Sequence, residues 1–248
     1  FDDVTVSFTE PKSGVTVSII GDQRHGVPAD ENNLAVKAIA LISKEYDLDV
    51  DVHVEIKKSI PVAGGMAGGS ADAAATIVAI DYLFSLGMSR EEMYEIAAQL
   101  GSDVPFMLSG GTSIGTGHGE QLTAALSRGT YHWVLALSTT GLSTPAVYGE
   151  CDRLRAESVI AEPQTNELLM QALLAADPKT VGAYLVNDLQ AAACSLRPAL
   201  RLILDVGAEY GALGALVSGA GPTVAFLVAD EEAGLDLAVA LTASGVVG

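Results

Sequence analysis

The chain has 248 residues, 49% hydrophobic and 18% charged, with 13 Lys and Arg against 31 Asp and Glu and a formal charge of -18. That is enough apolar material for one large domain or two smaller ones, while the acidic field repels nucleic acid and anionic membrane surfaces. No run reaches the ~20 apolar residues that cross a bilayer, no signal peptide is visible, and the isolated Cys151 and Cys194 read as reduced thiols of a cytoplasmic protein.

Val4–Phe8 and Val15–Ile20 read as two strands joined by a turn at Pro11–Gly14. Apolar residues at Leu34, Ala38, Leu41 and Ile42 mark a helix over Asn33–Tyr46. Val50, Val52, Val54 and Ile56 alternate with polar residues, including a solvent-facing His53, in a half-buried strand. A long helix follows over Ser70–Leu86, with Ala71, Ala74, Ala75 and Val78 as a small face for close packing. Ser89 and Glu92 form a capping box for a helix that ends at Gly101. Gly110–Glu120 reads as strand and hairpin turn, with His118 exposed, and His132–Leu137 as a buried strand. Helical patterns cover Pro145–Leu154, Asn166–Ala176, Leu189–Ser195 and Pro198–Tyr210. Two strands, Ala215–Ser218 and Thr223–Val228, flank a glycine turn, and a helix over Glu231–Ser244 follows. Strands and helices without a regular βαβ rhythm predict α+β, divided into residues 1–129 and 130–248 by a composition shift near Gly129.

The stretch Pro61-Val62-Ala63-Gly64-Gly65-Met66-Ala67-Gly68-Gly69-Ser70-Ala71-Asp72 lies between that half-buried strand and the long helix. Glycines let a backbone approach a ligand closely, and the N–H groups that open a helix attract phosphate. It is not a Walker A loop, because Ser70 occupies the lysine position, and the spacing of a dinucleotide fingerprint fails at Met66. In so acidic a chain a phosphate site must be locally positive, with the helix N-terminus, Lys57, Lys58 and a bound metal as sources.

Three further segments carry chemistry. Asp103, in Leu100-Gly101-Ser102-Asp103-Val104-Pro105-Phe106, suits either a general base in partly dry surroundings or the cap of a short helix. Ser218-Gly219-Ala220-Gly221-Pro222-Thr223 suits either a tight hairpin or a second loop on a nucleotide. Asn33 and Lys58 read as a helix cap and a solvated lysine, or as ligand contacts.

The glycine stretch, the Asp103 segment and the Ser218 loop together resemble the second motif, catalytic segment and third motif of the GHMP kinases, whose members include galactokinase, homoserine kinase and mevalonate kinase. The resemblance implies a two-lobed α+β fold with the active site in the cleft between lobes. It also implies ATP and Mg²⁺ as cofactors. Pro61 to Ala71, with Gly219 and Gly221, would surround the phosphates, and Ser70 would reach phosphate or metal. Asn33, Lys58 and Asp72 would lie toward the adenosine, and Asp103 would act as catalytic base and bind substrate. It is strongest to the branch acting on the 2-hydroxyl of 4-diphosphocytidyl-2-C-methyl-D-erythritol, in the non-mevalonate isoprenoid route. In that branch an aromatic matching Tyr148, in Leu142-Ser143-Thr144-Pro145-Ala146-Val147-Tyr148, stacks on cytosine, with Thr144 beside it. The implied partner is a small cytidine diphosphate alcohol, with no nucleic acid, no membrane and no set oligomeric state. The alternatives are a homoserine or mevalonate type kinase, or a non-catalytic nucleotide-binding module.

Departures from the pattern are Ala63 and Ala67, where glycine is common, Ala71 for serine and Asp72 for asparagine. An alanine there is tolerated if its φ is negative. Asn187-Asp188-Leu189 resembles a family helix start with a structural role. The family's first motif, a Lys and Asn on a strand followed by Gly-Tyr-His, does not appear, which suggests that the chain omits terminal parts of a longer protein.

Overall fold

The computed structural model describes residues 1–160 and 162–245. The first two strands, β1 (Asp3–Phe8) and β2 (Val15–Ile20), do not pair with each other. After helix α1 (Leu34–Glu45), strand β3 (Val52–Lys57) inserts between them, antiparallel to β1 and parallel to β2. Its apolar residues Val52, Val54 and Ile56 are fully buried. His53 lies on the polar face but is half-buried, with Nδ1 2.9 Å from Thr16 Oγ1 and Nε2 2.8 Å from Ser18 Oγ.

Helix α2 (Gly68–Phe84) covers the apolar face of this sheet together with α1. The buried stripe of α2 is Asp72, Ala73, Ala74, Thr76, Ile77 and Ile80, whereas Ala75 and Val78 are exposed. The face is therefore rotated from the one expected. An alanine-rich helix has little polarity contrast to set its facing, and the isoleucines at positions 77 and 80 decide it through their larger apolar area. Helix α3 (Arg90–Leu100) carries both bonds of its capping box: Glu92 N donates to Ser89 Oγ at 3.2 Å, and Ser89 N to Glu92 Oε2 at 2.7 Å. The short helix α4 (Val104–Ser109) packs on α2, and β4 (Ser113–Thr116) pairs with β5 (Gln121–Ala124) as the expected hairpin. His118 is exposed in its turn.

These elements form one unit, Phe1–Val62 with Ala67–Ala124; the other comprises Ala63–Met66 and Ala125–Gly248. The second begins with β6 (His132–Ala136) and α5 (Thr144–Arg155), then α6 (Glu167–Ala175) and α7 (Pro178–Ala183). It continues through α8 (Gln190–Leu196), α9 (Ala199–Glu209), β7 (Gly214–Val217), β8 (Val224–Val228) and α10 (Glu231–Ser244). Its sheet runs β6-β8-β7, all antiparallel. The expectation of a buried strand at 132–137 is corrected: Trp133 is 44% and Leu135 46% exposed, because β6 pairs on one side only and alternates its faces. Helix α7 was not anticipated. Its signal is Asp177, whose Oδ1 accepts from Lys179 N and Thr180 N, ahead of Pro178 at the first helical position.

The core of this unit closes around Phe226, Leu200 and Leu237. A Cβ on Gly207 would stand 2.0 Å from Phe226 Cε1, so α9 crosses β8 at a position only glycine fits. Gly207→Ala is expected to destabilise the protein by ~1–3 kcal/mol through overpacking. Urea denaturation checks this, and an unchanged midpoint would contradict the packing.

Candidate active site

The loop from Pro61 to Ala67 changes hand repeatedly, with Ala63 at φ 51°, Gly65 at 73° and Ala67 at 50°. Both alanines that replace the common glycines thus sit in the left-handed region, contrary to the tolerance expected of them. Each costs on the order of 1–2 kcal/mol relative to an unstrained backbone, held by the bonds around it. Ala67 is also the N-cap of α2 and offers no side-chain cap, so the amides of Gly68, Gly69 and Ser70 open the helix uncapped. Ala71 N donates to Ala67 O at 3.0 Å and belongs to the helix ladder. None of the amides from Gly64 to Ser70 meets an acceptor among the described residues. The helix dipole adds partial positive charge there.

The carbonyls of the loop tip, by contrast, are all engaged within the second unit. Leu142 N donates to Ala63 O at 3.2 Å, Thr223 N to Gly64 O at 3.3 Å and Ser218 Oγ to Gly65 O at 2.8 Å. A Cβ on Gly65 would meet Ser218 O at 2.1 Å, so the two backbones touch. The structure therefore brings together the two glycine segments that the sequence singled out separately. Ala220, Gly221, Pro222 and Thr223 are buried in that turn, and the Thr223 hydroxyl has no partner among the described residues. Gly219 lies at its exposed crest.

Lys58 is not a solvated lysine. It is 3% exposed, and its Nζ donates to Asp2 Oδ2 and, at 2.7 Å, to Asp72 Oδ2. One ammonium between two carboxylates leaves no positive charge for a phosphate, which corrects the expected contribution of Lys58. The start of α2 keeps its partial positive charge. Asp2 was not legible as a site residue, since its partners lie more than fifty positions away. Its Oδ1 accepts from Ser59 N at 2.6 Å and Ile60 N at 2.8 Å, fixing the entry to the glycine loop.

The two carboxylates of this cluster titrate in opposite directions. Burial pushes the Asp72 carboxyl up to about 6 against the pull of Lys58, and its Oδ1 has no partner among the described residues. Burial also acts on Asp2, but the Ile60 amide, the Lys58 ammonium and the Ser59 amide outweigh it and hold that carboxyl below the usual range. A raised folded value means that Asp72 stabilises the fold fully below its ordinary value of 3.8, and that this contribution is lost as pH rises through about 6. Asp2 acts oppositely, stabilising above 3.8 and losing that as pH falls through its lowered value. The stability advantage of wild type over Asp72→Asn is expected to shrink between pH 4 and pH 7. Parallel pH curves in urea denaturation would refute that assignment.

Asn33 caps α1: its Oδ1 accepts from Ala35 N at 2.9 Å, and its Nδ2 donates to Pro28 O at 2.7 Å. Asp103 stands at the N-cap of α4 but makes no side-chain cap bond, and it is exposed rather than partly dry. Among the described residues its carboxylate makes no cap bond, which leaves it open to solvent. Thr144 and Tyr148 lie four positions apart in α5, both exposed, with Tyr148 at 56%. Val147 and Cys151, on the adjoining face, are the buried residues of α5. Ser195 Oγ donates to Glu150 Oε1 at 2.5 Å, which ties α5 to α8. The Glu150 carboxyl is held down to about 2, chiefly by Arg153 and then by Ser195. Among the described residues no group of three or more His, Cys, Asp or Glu could hold a metal, and no helix is long and apolar enough to cross a membrane.

Residues 33–111 match the family model for the GHMP kinases N terminal domain, and residues 169–247 that for GHMP kinases C terminal. The chain is 50% identical over 247 residues to the 4-diphosphocytidyl-2-C-methyl-D-erythritol kinase of Mycolicibacterium smegmatis, covering 99% of this chain and 76% of that protein. Among solved structures, a homoserine kinase from Cytophaga hutchinsonii superposes with TM-score 0.79 at 18% identity, covering 98% of this chain and 81% of that one. A 4-(cytidine 5'-diphospho)-2C-methyl-D-erythritol kinase superposes at 0.74 with 24% identity, covering 98% and 82%. These likenesses bear on the fold, and the sequence identity carries the relationship further. The α+β fold, the paired glycine segments and these matches agree that the chain belongs to the GHMP kinase family.

Proposed function

We propose that this protein transfers the γ-phosphoryl group of ATP to the 2-hydroxyl of 4-diphosphocytidyl-2-C-methyl-D-erythritol. The observation that carries the reading is the run of amides from Gly64 to Ser70 that meets no acceptor among the described residues, ending at the start of α2, which lacks a side-chain cap. Such a run suits a triphosphate, whose charge it stabilises without a lysine. Asp103 takes the proton of the attacking hydroxyl as the new O–P bond forms and the bond to ADP breaks. Positioning and charge stabilisation supply most of the rate in such transfers. Tyr148 offers its ring face to the cytosine and Thr144 a hydroxyl to the same end of the substrate.

The residues present fit Mg²⁺ through the Ser70 hydroxyl at the third position of α2. With no acidic cluster among the described residues, its remaining ligands would be phosphate oxygens and water. When bound, it neutralises developing charge on the phosphates. The site of action under this reading is the cytoplasm. A kinase assay on the full-length protein with the cytidine diphosphate alcohol, homoserine and mevalonate tests the assignment. Turnover confined to the first is expected, and preference for either of the others would overturn it.

A further inference from the structure

We propose that Asn187 and Gln190 are positioning residues that hold the 218–223 turn against the tip of the phosphate loop, an inference that rests on that loop binding ATP. Both lie at the entry to α8. Asn187 Nδ2 donates to Val217 O at 2.6 Å and to Gly219 O at 2.8 Å. Its Oδ1 accepts from Leu189 N at 2.9 Å, which points the amide's donors at the turn. Gln190 Oε1 accepts from Val217 N at 2.9 Å. Both backbone groups of Val217 and the carbonyl of Gly219 are thereby held by side chains, and these are the two residues that flank Ser218.

A hairpin turn needs none of this. Its own backbone closes it, through Ser218 N to Thr223 O and Gly221 N to Ser218 O, each at 2.8 Å. What the side chains add is a fixed place for the turn as a body. From that body come two of the tip's three hydrogen bonds, Ser218 Oγ to Gly65 O and Thr223 N to Gly64 O. Gly65 and Ser218 also meet with no room for a Cβ. Displacing the turn by a fraction of an ångström removes the Ser218 contact and lets the tip relax. Geometry of this kind, where a site rests on supports that do not touch ligand, is sensitive to loss of those supports.

The test uses the full-length enzyme, with ATP varied at saturating alcohol and the converse. Asn187→Ala is expected to raise KM for ATP ~tenfold, the loss of one well-made hydrogen-bonded support, with KM for the alcohol unchanged. Asn187→Asp keeps the shape but replaces the donor by an acceptor facing two carbonyls, and is expected to do at least as much. Gln190→Met should act in the same direction. In the double variant Asn187→Ala, Ser218→Ala the loss should be no greater than in the worse single, since both act through one contact. Gly207→Ala, which lowers stability elsewhere in the unit, should leave KM for ATP at the wild-type value. Lowered melting temperatures in the Asn187 and Gln190 variants with wild-type KM for ATP, or full additivity with Ser218→Ala, would overturn the proposal. Wild type that neither binds nor turns over ATP would instead overturn the nucleotide reading itself.

Discussion

Asp103→Asn is expected to lower kcat by about 10²–10⁴-fold, the range for loss of a general base, with KM for ATP close to wild type. The reasoning starts from what the side chain does not do. It occupies a cap position without capping, so the asparagine removes no cap bond among the described residues and should leave the stability within about 0.5 kcal/mol of wild type. Asparagine keeps the shape and one acceptor oxygen but cannot take a proton. Single-turnover kinetics with the preferred alcohol separate the chemical step from product release. Unchanged turnover would remove Asp103 from the mechanism, whereas a large fall in stability with proportionate loss of activity would reassign it to the fold.

The second large effect is expected at Gly65. Its φ of 73° already disfavours any side chain, and a Cβ would lie 2.1 Å from Ser218 O and 2.9 Å from Gly221 N. Those are backbone atoms, which cannot rotate away as a side chain could. Gly65→Ala is expected to combine a left-handed penalty of ~1–2 kcal/mol with overpacking of ~1–3 kcal/mol, and to raise KM for ATP by more than tenfold. Gly14→Ala is the matched comparison, with φ 67° and nothing within 4 Å of the added atom. It should show the conformational penalty alone, with unaltered kinetics. Equal losses in the two variants, read by urea denaturation and ATP titration, would mean that the contact with Ser218 is unimportant.

What could be read from the sequence was what neighbours along the chain decide. The alternation of β3, the Ser89–Glu92 capping box and the glycine stretch are local patterns, and all three stand where the sequence put them. What could not be read depends on distant partners. The central place of β3, the edge place of β6 and the pairing of Lys58 with Asp2 are set by residues dozens of positions away. The facing of α2 was missed because alanines look alike from every side. The φ angles of Ala63 and Ala67 were missed because tertiary contacts, not residue type, impose them. At the candidate site, the segments were legible and their mutual geometry was not. The Ser218 motif was visible, but its grip on Gly65 required the fold.

That grip has a stereochemical result. In a trans peptide the C=O and N–H vectors point in opposite directions across one plane. Anchoring the oxygens of Ala63, Gly64 and Gly65 toward Leu142, Thr223 and Ser218 therefore turns the hydrogens of Gly64, Gly65 and Met66 outward from the anchors. The orientation is fixed by the fold itself, so an anion bound as proposed would require little reorganisation. Three acceptor bonds thus set the direction of three donors.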